Sequence, residues 1–212
     1  MKLECTQDNL DKALSHISRA VSTRTTLPIT QNVLLKAVDG KLQLSATNLE
    51  MALNTWIGAN ITEEGETTIP ARLLTDLIRT FPNQNINLQS DNADNTINIK
   101  CGPFDSNLIT QPTDDFPPIP QLENLEPQFD IDADVLLKLI NSVIFSAAQD
   151  QSRPVLTGIK FSIENNTLTL ASADGFRLSI INYKFENSIN DLDFIVPSKS
   201  LAELARLLPI AE

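Results

Sequence analysis

A catalytic reading of this sequence has to begin with its one histidine. A Ser-His-Asp arrangement would need His16, which falls in an amphipathic run beside the apolar stripe, where a helix-surface residue belongs rather than a general base. There is no Gly-rich loop ending in Lys and Ser or Thr that could cradle phosphates. The acidic stretch SDNADN, Ser90 to Asn95, has neither the glycine nor the distal glutamate of a calcium loop, and it reads as a turn between two strands. The acidic pairs Glu63-Glu64 and Asp114-Asp115 read as solvated turns. Cys5 and Cys101 are far apart and lack a CxxC spacing, which argues against a zinc site or a disulfide framework and fits a reducing cytoplasm. No nucleophile is paired with a base, no metal or cofactor is called for, and the expectation is a non-catalytic protein.

The remaining chemistry is charge. With 16 Lys and Arg against 27 Asp and Glu, the net charge is -11. That average argues against nucleic acid, because phosphate binding needs cations to displace condensed counterions. The distribution argues otherwise. Lys12, Arg19, Arg72, Arg79, Lys138, Lys199 and Arg206 fall on four predicted helices, and three of these helices space a basic pair by seven residues. Seven residues is nearly two helical turns, so Lys12 with Arg19, Arg72 with Arg79, and Lys199 with Arg206 are each expected on one face. Most acids fall in predicted strands, turns and linker, among them Asp91, Asp94, Glu123 and Glu126. Ordinary solvation accounts for any single pair; the recurrence at matching positions asks for more.

Those helices belong to a repeat. After Thr6 as N-cap, Leu10, Ala13, Leu14, Ile17 and Val21 make one apolar stripe; after Asp132, Leu136, Leu139, Ile140, Val143 and Ala147 make another, each 126 positions later. A short strand is expected before each helix, at residues 2–5 and 128–131. Alternating segments follow, as two strands turning at Asp39-Gly40 and then a third, and again with Asn165-Asn166 as the turn. TTIPARLLTDLIRTF then answers to FIVPSKSLAELARLL at an offset of 127. The first copy continues through INLQS, TINIK and a strand near Asn107, then a proline-rich stretch. The expectation is an α+β chain of tandem domains, each with two helices on one side of antiparallel sheets. Residues 1–120 form the first, 121–127 a linker and 128–212 a second that stops short of its hairpin. At 42% hydrophobic residues both can build cores. No apolar run is long enough to cross a bilayer, so a soluble, cytoplasmic protein is expected.

The motifs TLPIT (residues 26–30), LEM (49–51), TIPAR (68–72), DFP (115–117), RPVLTGI (153–159), ADGFRL (173–178) and VPSK (196–199) run in an order that resembles the bacterial sliding clamp, the beta subunit of DNA polymerase III. The resemblance covers the whole chain. It implies a processivity factor, a ring of two three-domain subunits with helices lining the hole and sheets outside. Duplex DNA would thread the ring without sequence-specific contacts. By position, Arg24, Gln149 and Arg153 would touch DNA from loops, and Arg72, Arg79, Lys199 and Arg206 would face the hole. The implied partners are the polymerase III catalytic subunit, the clamp loader and other replication and repair proteins, which insert a short peptide into a cleft. Its matching positions are Leu156, Ala173, Gly175, Phe176, Arg177 and Leu178. Phe176 stands where histidine is frequent and Ala173 where threonine is, so the pocket is expected to be more apolar. The segment CGPFDSNLIT, with Pro103 and Asp105, departs from the family's basic, aromatic ring-closing strand. Two rival readings stand beside this one: an acidic protein-interaction module that does not bind DNA, and, more distantly, a metal-dependent hydrolase.

Overall fold

Thr6 turns the chain from strand into helix. In the computed structural model, which describes residues 1–212 except 22–26, 92–93, 121–125, 151 and 211–212, β1 (Lys2–Thr6) ends with the Thr6 hydroxyl accepting the Asn9 N–H. This N-cap satisfies one of the amide donors that a helix start leaves unpaired. The following α1 (Gln7–Ile17) buries Leu10, Ala13, Leu14 and Ile17 along one stripe. It stops at Ile17, where the Ser18 hydroxyl donates back to the Ser15 carbonyl at 3.1 Å and a 3₁₀ turn, Ser18–Ala20, takes over. Arg19 therefore lies beyond the α-helix. The 3₁₀ turn continues directly from the helix, and Lys12 and Arg19 are both exposed.

The chain divides into two units, Met1–Pro120 and Gln121–Glu212. The first continues through β2 (Asn32–Val38), β3 (Lys41–Thr47), β4 (Ala52–Gly58), β5 (Asn60–Glu63), β6 (Gly65–Pro70), α2 (Ala71–Thr80), β7 (Asn85–Asp91), β8 (Thr96–Cys101) and β9 (Phe104–Ile109). Asp39 and Gly40, at φ 51° and 72°, form the left-handed two-residue turn whose twist matches a hairpin. The strands make two antiparallel sheets, ordered β4-β3-β2-β6 and β5-β1-β7-β8-β9. Both sheets and both helices close on one core that joins Leu3, Leu10, Leu14, Leu35, Leu44, Leu74, Ile78, Ile86 and Ile99. Each such side chain contributes roughly 1.5–3 kcal/mol by leaving water. Pro103 does not interrupt a strand: with Gly102, at φ 54°, it makes the turn between β8 and β9.

The second unit repeats the plan. Asp132 caps α3 (Ala133–Val143) by accepting the N–H groups of Asp134 and Val135 at 2.9 and 3.2 Å. Then come β10 (Gly158–Glu164), β11 (Thr167–Ala173), β12 (Leu178–Lys184), β13 (Leu192–Pro197) and α4 (Ser198–Leu207), in one antiparallel sheet ordered β12-β11-β10-β13. α3 and β10 to β12 fall 126 residues after α1 and β2 to β4; β13 and α4 fall 127 after β6 and α2. Asn165 and Asn166, at φ 50° and 61°, repeat the hairpin turn. Leu139, Ile140, Val143, Ile159, Ile163, Leu168, Leu170 and Leu201 form the core.

One expectation fails here. Residues 128–131 form no strand. β1 exists because β5 and β7 bond it on either side, and among the described residues the second unit has no strand in either place. A strand without partners leaves its amides to water and has no ladder to hold it. Phe129 and Ile131 still pack onto the core through their side chains, with the Phe129 ring 5.5 Å from that of Phe185.

Candidate functional site

On α2, Arg72 and Arg79 are both exposed, which the apolar stripe of Ala71, Leu74 and Ile78 on the other side enforces. Arg72 pairs loosely with Asp76 one turn on, at 3.8 Å. Arg79 reaches across to α1, where its Nε lies 3.4 Å from Asp11 Oδ1 and its Nη2 donates to the Ser15 hydroxyl at 3.1 Å. In the second unit Lys199 and Arg206 are exposed on α4, and Arg206 pairs with Glu203 at 2.5 Å. Lys12 pairs with Asp8 at 2.7 Å.

These pairs correct the expected layering of charge. On the four α-helices Lys12, Arg72, Arg79, Lys138, Lys199 and Arg206 stand against Asp8, Asp11, Asp76, Asp134 and Glu203, a near balance rather than a positive surface. Relative to the chain's 16 bases and 27 acids, the helices are still its least negative part. The ion pairs are exposed, so each holds its partners by about 0–1 kcal/mol. The i,i+4 and i,i+3 spacings of Arg72–Asp76 and Glu203–Arg206 were readable in the sequence. The Arg79–Asp11 contact was not, because it joins two helices.

The second set of candidates converges at one end of the sheet of the second unit. Arg153 precedes a 3₁₀ turn, Pro154–Thr157, that carries Leu156; the Leu156 carbonyl accepts the Ala148 N–H at 2.9 Å, fixing this turn beside the end of α3. Ala173 closes β11 and pairs in register with Leu178, which opens β12. Between them, Asp174 Oδ1 accepts the N–H groups of Phe176 and Arg177 at 2.9 and 3.0 Å, and Asp174 Oδ2 meets Arg177 Nε at 2.9 Å. The Phe176 amide first, then the Arg177 amide and guanidinium, hold the Asp174 carboxyl below its usual range. The turn pushes Phe176 into solvent, where it is 96% exposed. Leu178 is exposed beside it, and Leu156 and Ala173 are half-buried.

Two apolar residues in this region escaped the sequence reading. Val155 and Ile180 are 68% and 57% exposed. Ile180 stands two residues after Leu178 on the same face of β12, so strand period alone could have found it; Val155 carried no such signal. Arg153 Nη2 donates to the Asp174 carbonyl at 3.1 Å, which brings a residue expected at DNA onto the turn expected at a peptide. Gln149 is exposed in the loop before it. Asp150 in the same loop has its carboxyl lowered first by the Ser152 hydroxyl and then by the Ser152 amide. Arg24 lies outside the described residues.

Among the described residues no cluster of His, Cys, Asp and Glu could hold a metal ion. Cys5 is buried, and that burial pushes its thiol up to about 12. No helix of the described residues is long and apolar enough to cross a membrane. On the edge strand β9, Asp105 is answered by the Asn98 amide and by Lys100 at 3.1 Å, and Phe104 stacks on Phe81 with ring centroids 5.9 Å apart.

Tandem copies of a two-helix, antiparallel-sheet unit, bearing exposed basic residues at equivalent helix positions and an apolar end on one sheet, define a class of repeated α+β binding proteins. The chain belongs to the DNA polymerase III beta subunit family: the model of its N-terminal domain matches residues 1–120 and that of its central domain residues 130–212. It is 31% identical to the beta sliding clamp of Synechococcus elongatus over 217 residues, covering 99% of this chain and 56% of the relative. It is 33% identical to that of Rickettsia felis over 208 residues, covering 98% and 54%. The DNA polymerase III subunit beta of Pseudomonas aeruginosa superposes with a TM-score of 0.89 at 31% identity, covering 98% of this chain and 57% of that one. The Bacillus subtilis sliding clamp superposes at 0.92 with 24% identity, covering 98% and 56%, a likeness of fold. The chain thus spans a little over half the length of the relatives it matches.

Proposed function

We propose that this chain is part of a sliding clamp, a non-catalytic accessory subunit that encircles duplex DNA and keeps a polymerase on its template. The observation that carries this reading is the equivalence of α2 and α4, which expose Arg72 with Arg79 and Lys199 with Arg206 at the same places in two copies of one fold. Such helices can meet a phosphate backbone without reading bases. Their ion pairs are no obstacle, because phosphates replace exposed carboxylates at little cost and the displaced counterions favour the exchange. Arg24, Gln149 and Arg153 would add contacts from loops.

The apolar end of the second unit supports a peptide site. Leu156, Ala173, Gly175, Phe176, Arg177 and Leu178 would receive a short segment with leucine and aromatic anchors from the polymerase III catalytic subunit, the clamp loader or other replication and repair proteins. Closure would be by a homodimeric ring in the cytoplasm, with β9 at the joint. The test is topological. The protein loaded on a closed circular duplex stays bound and leaves once the duplex is cut; equal retention before and after the cut overturns the reading. A near balance of helix charge is what an acidic interaction module would also have, and that alternative predicts no retention on either form.

A further inference from the structure

Among the described residues, the second unit contains a contact with no counterpart in the first. Arg153 Nη2 donates to the Asp174 carbonyl, and Arg153 Nη1 lies 2.5 Å from where a Cβ on Gly175 would stand. At the equivalent positions, 126 residues earlier, the first unit has Leu27, Asn48 and Leu49. The same turn forms there. Asn48 Oδ1 accepts the N–H groups of Glu50 and Met51 at 3.0 and 2.8 Å, as Asp174 Oδ1 accepts those of Phe176 and Arg177. Leu49 takes φ 73° where Gly175 takes 92°. The turn as such does not require a glycine. Gly175 instead leaves the space that Arg153 fills.

Arg153 is also available to another ligand. It is exposed, and the carboxylate that feels its charge is Asp150 on the neighbouring loop, which is held mainly by the Ser152 hydroxyl and amide. A guanidinium presents five donors in a rigid fork; a neutral carbonyl engages one of them, whereas a phosphate accepts two and brings opposite charge. The loop of residues 149–153 is the place where the clamp reading expects DNA, and the turn of residues 174–177 is where it expects peptide.

Resting on that reading, we propose that Arg153 is a positioning residue that couples the two interfaces: it braces the 174–177 turn, and a DNA phosphate at the 149–153 loop competes for the same guanidinium. Duplex binding then loosens the turn and disfavours the peptide. By linkage, bound peptide disfavours the duplex contact by the same factor.

The experiment titrates a short duplex into the full chain while following the amide signals and water-exchange rates of Gly175, Phe176 and Arg177. Exchange at Phe176 and Arg177 rises about three- to tenfold at saturation, the size expected for one exposed, charge-assisted hydrogen bond. Gly175→Ala fills the seat of the guanidinium while leaving its charge, and Leu49 demonstrates that the fold accepts a side chain at this turn position. In that variant exchange is already raised and the duplex adds nothing. Arg153→Lys likewise raises exchange in the free chain and abolishes the further rise on adding duplex, and it weakens duplex binding, because the fork that holds the phosphate is gone. A peptide with leucine and aromatic anchors binds more weakly in the presence of duplex to the wild type and not to Gly175→Ala. Duplex binding that leaves the turn signals and the peptide affinity unchanged overturns the coupling and leaves the clamp reading standing. Failure to bind duplex overturns both.

Discussion

The two units share a scaffold to within one residue of offset, yet they use its corners differently. In the first, the connection after β3 is held by Asn48, a neutral amide, with Leu49 at the left-handed position. In the second, the same connection is held by Asp174, crossed by Arg153, and throws Phe176 into solvent. In the first unit a second sheet contributes Ile86, Leu88, Ile97 and Ile99 to the core. The described part of the second unit has a single sheet and a smaller core. The candidate recognition chemistry thus sits on loops that differ between the copies, while the helix and strand interior that both keep is undisturbed.

The sharpest way to break that contrast is to damage the same core position twice. Leu14 and Ile140 are both fully buried and lie 126 residues apart. Truncation of either to alanine is expected to cost about 2–5 kcal/mol. The chain has one tryptophan and one tyrosine, Trp56 in the first unit and Tyr183 in the second. In urea, Ile140→Ala moves the Tyr183 transition and leaves that of Trp56, and Leu14→Ala does the reverse. Both signals moving together in both variants would mean that the copies unfold as one.

A smaller effect comes from the hairpin turns. Gly40 holds φ 72° with open space around its Cα, so Gly40→Ala should cost about 1–2 kcal/mol through the left-handed backbone alone. Asn166→Gly, at φ 61°, should instead stabilise its unit by a few tenths, as glycine is the preferred residue there. The helix caps come next. Asp132 accepts two amides and Thr6 accepts one at 3.4 Å. Asp132→Ala is expected to cost about 1 kcal/mol and Thr6→Ala about half that, read as shifts of the same two urea transitions.

The smallest effect is a pH dependence confined to one turn. The carboxyl of Asp174 is held below its ordinary 3.8 by the amides of Phe176 and Arg177. A carboxylate lowered on folding contributes above its ordinary value and loses that contribution as pH falls through the lower, folded value. Between pH 5 and 8 nothing should change. Below pH 3.8 the amide signals of Phe176 and Arg177 should move, while that of Met51, bonded to an amide that does not titrate there, should stay. Parallel movement at both turns would remove the distinction.

Much of this molecule was legible before any coordinates. The stripes of Leu10, Leu14, Leu136 and Ile140 announced helices, and Asp39-Gly40 with Asn165-Asn166 announced hairpins, because 3.6-residue and 2-residue periods and left-handed turn residues are local properties. Pro103 looked like an anomaly in a strand and is the turn beside it. The strand expected at residues 128–131 failed for a nonlocal reason: its residues have strand character, but strand formation depends on neighbours that sequence spacing does not supply. The same limit applied to the site. Phe176 and Leu178 stood out by their place in a motif, while the Arg79 reach to Asp11 and the Arg153 reach to Asp174 did not.

The sequence by itself determined the repeat, the periodicity of each element and the positions of its charged residues, all of which follow from how side chains alternate along one backbone. Tertiary structure alone decided which charges were already spoken for and which turn Arg153 lies across, because the energy of a charge depends on what stands within a few ångströms of it rather than on what precedes it in the chain.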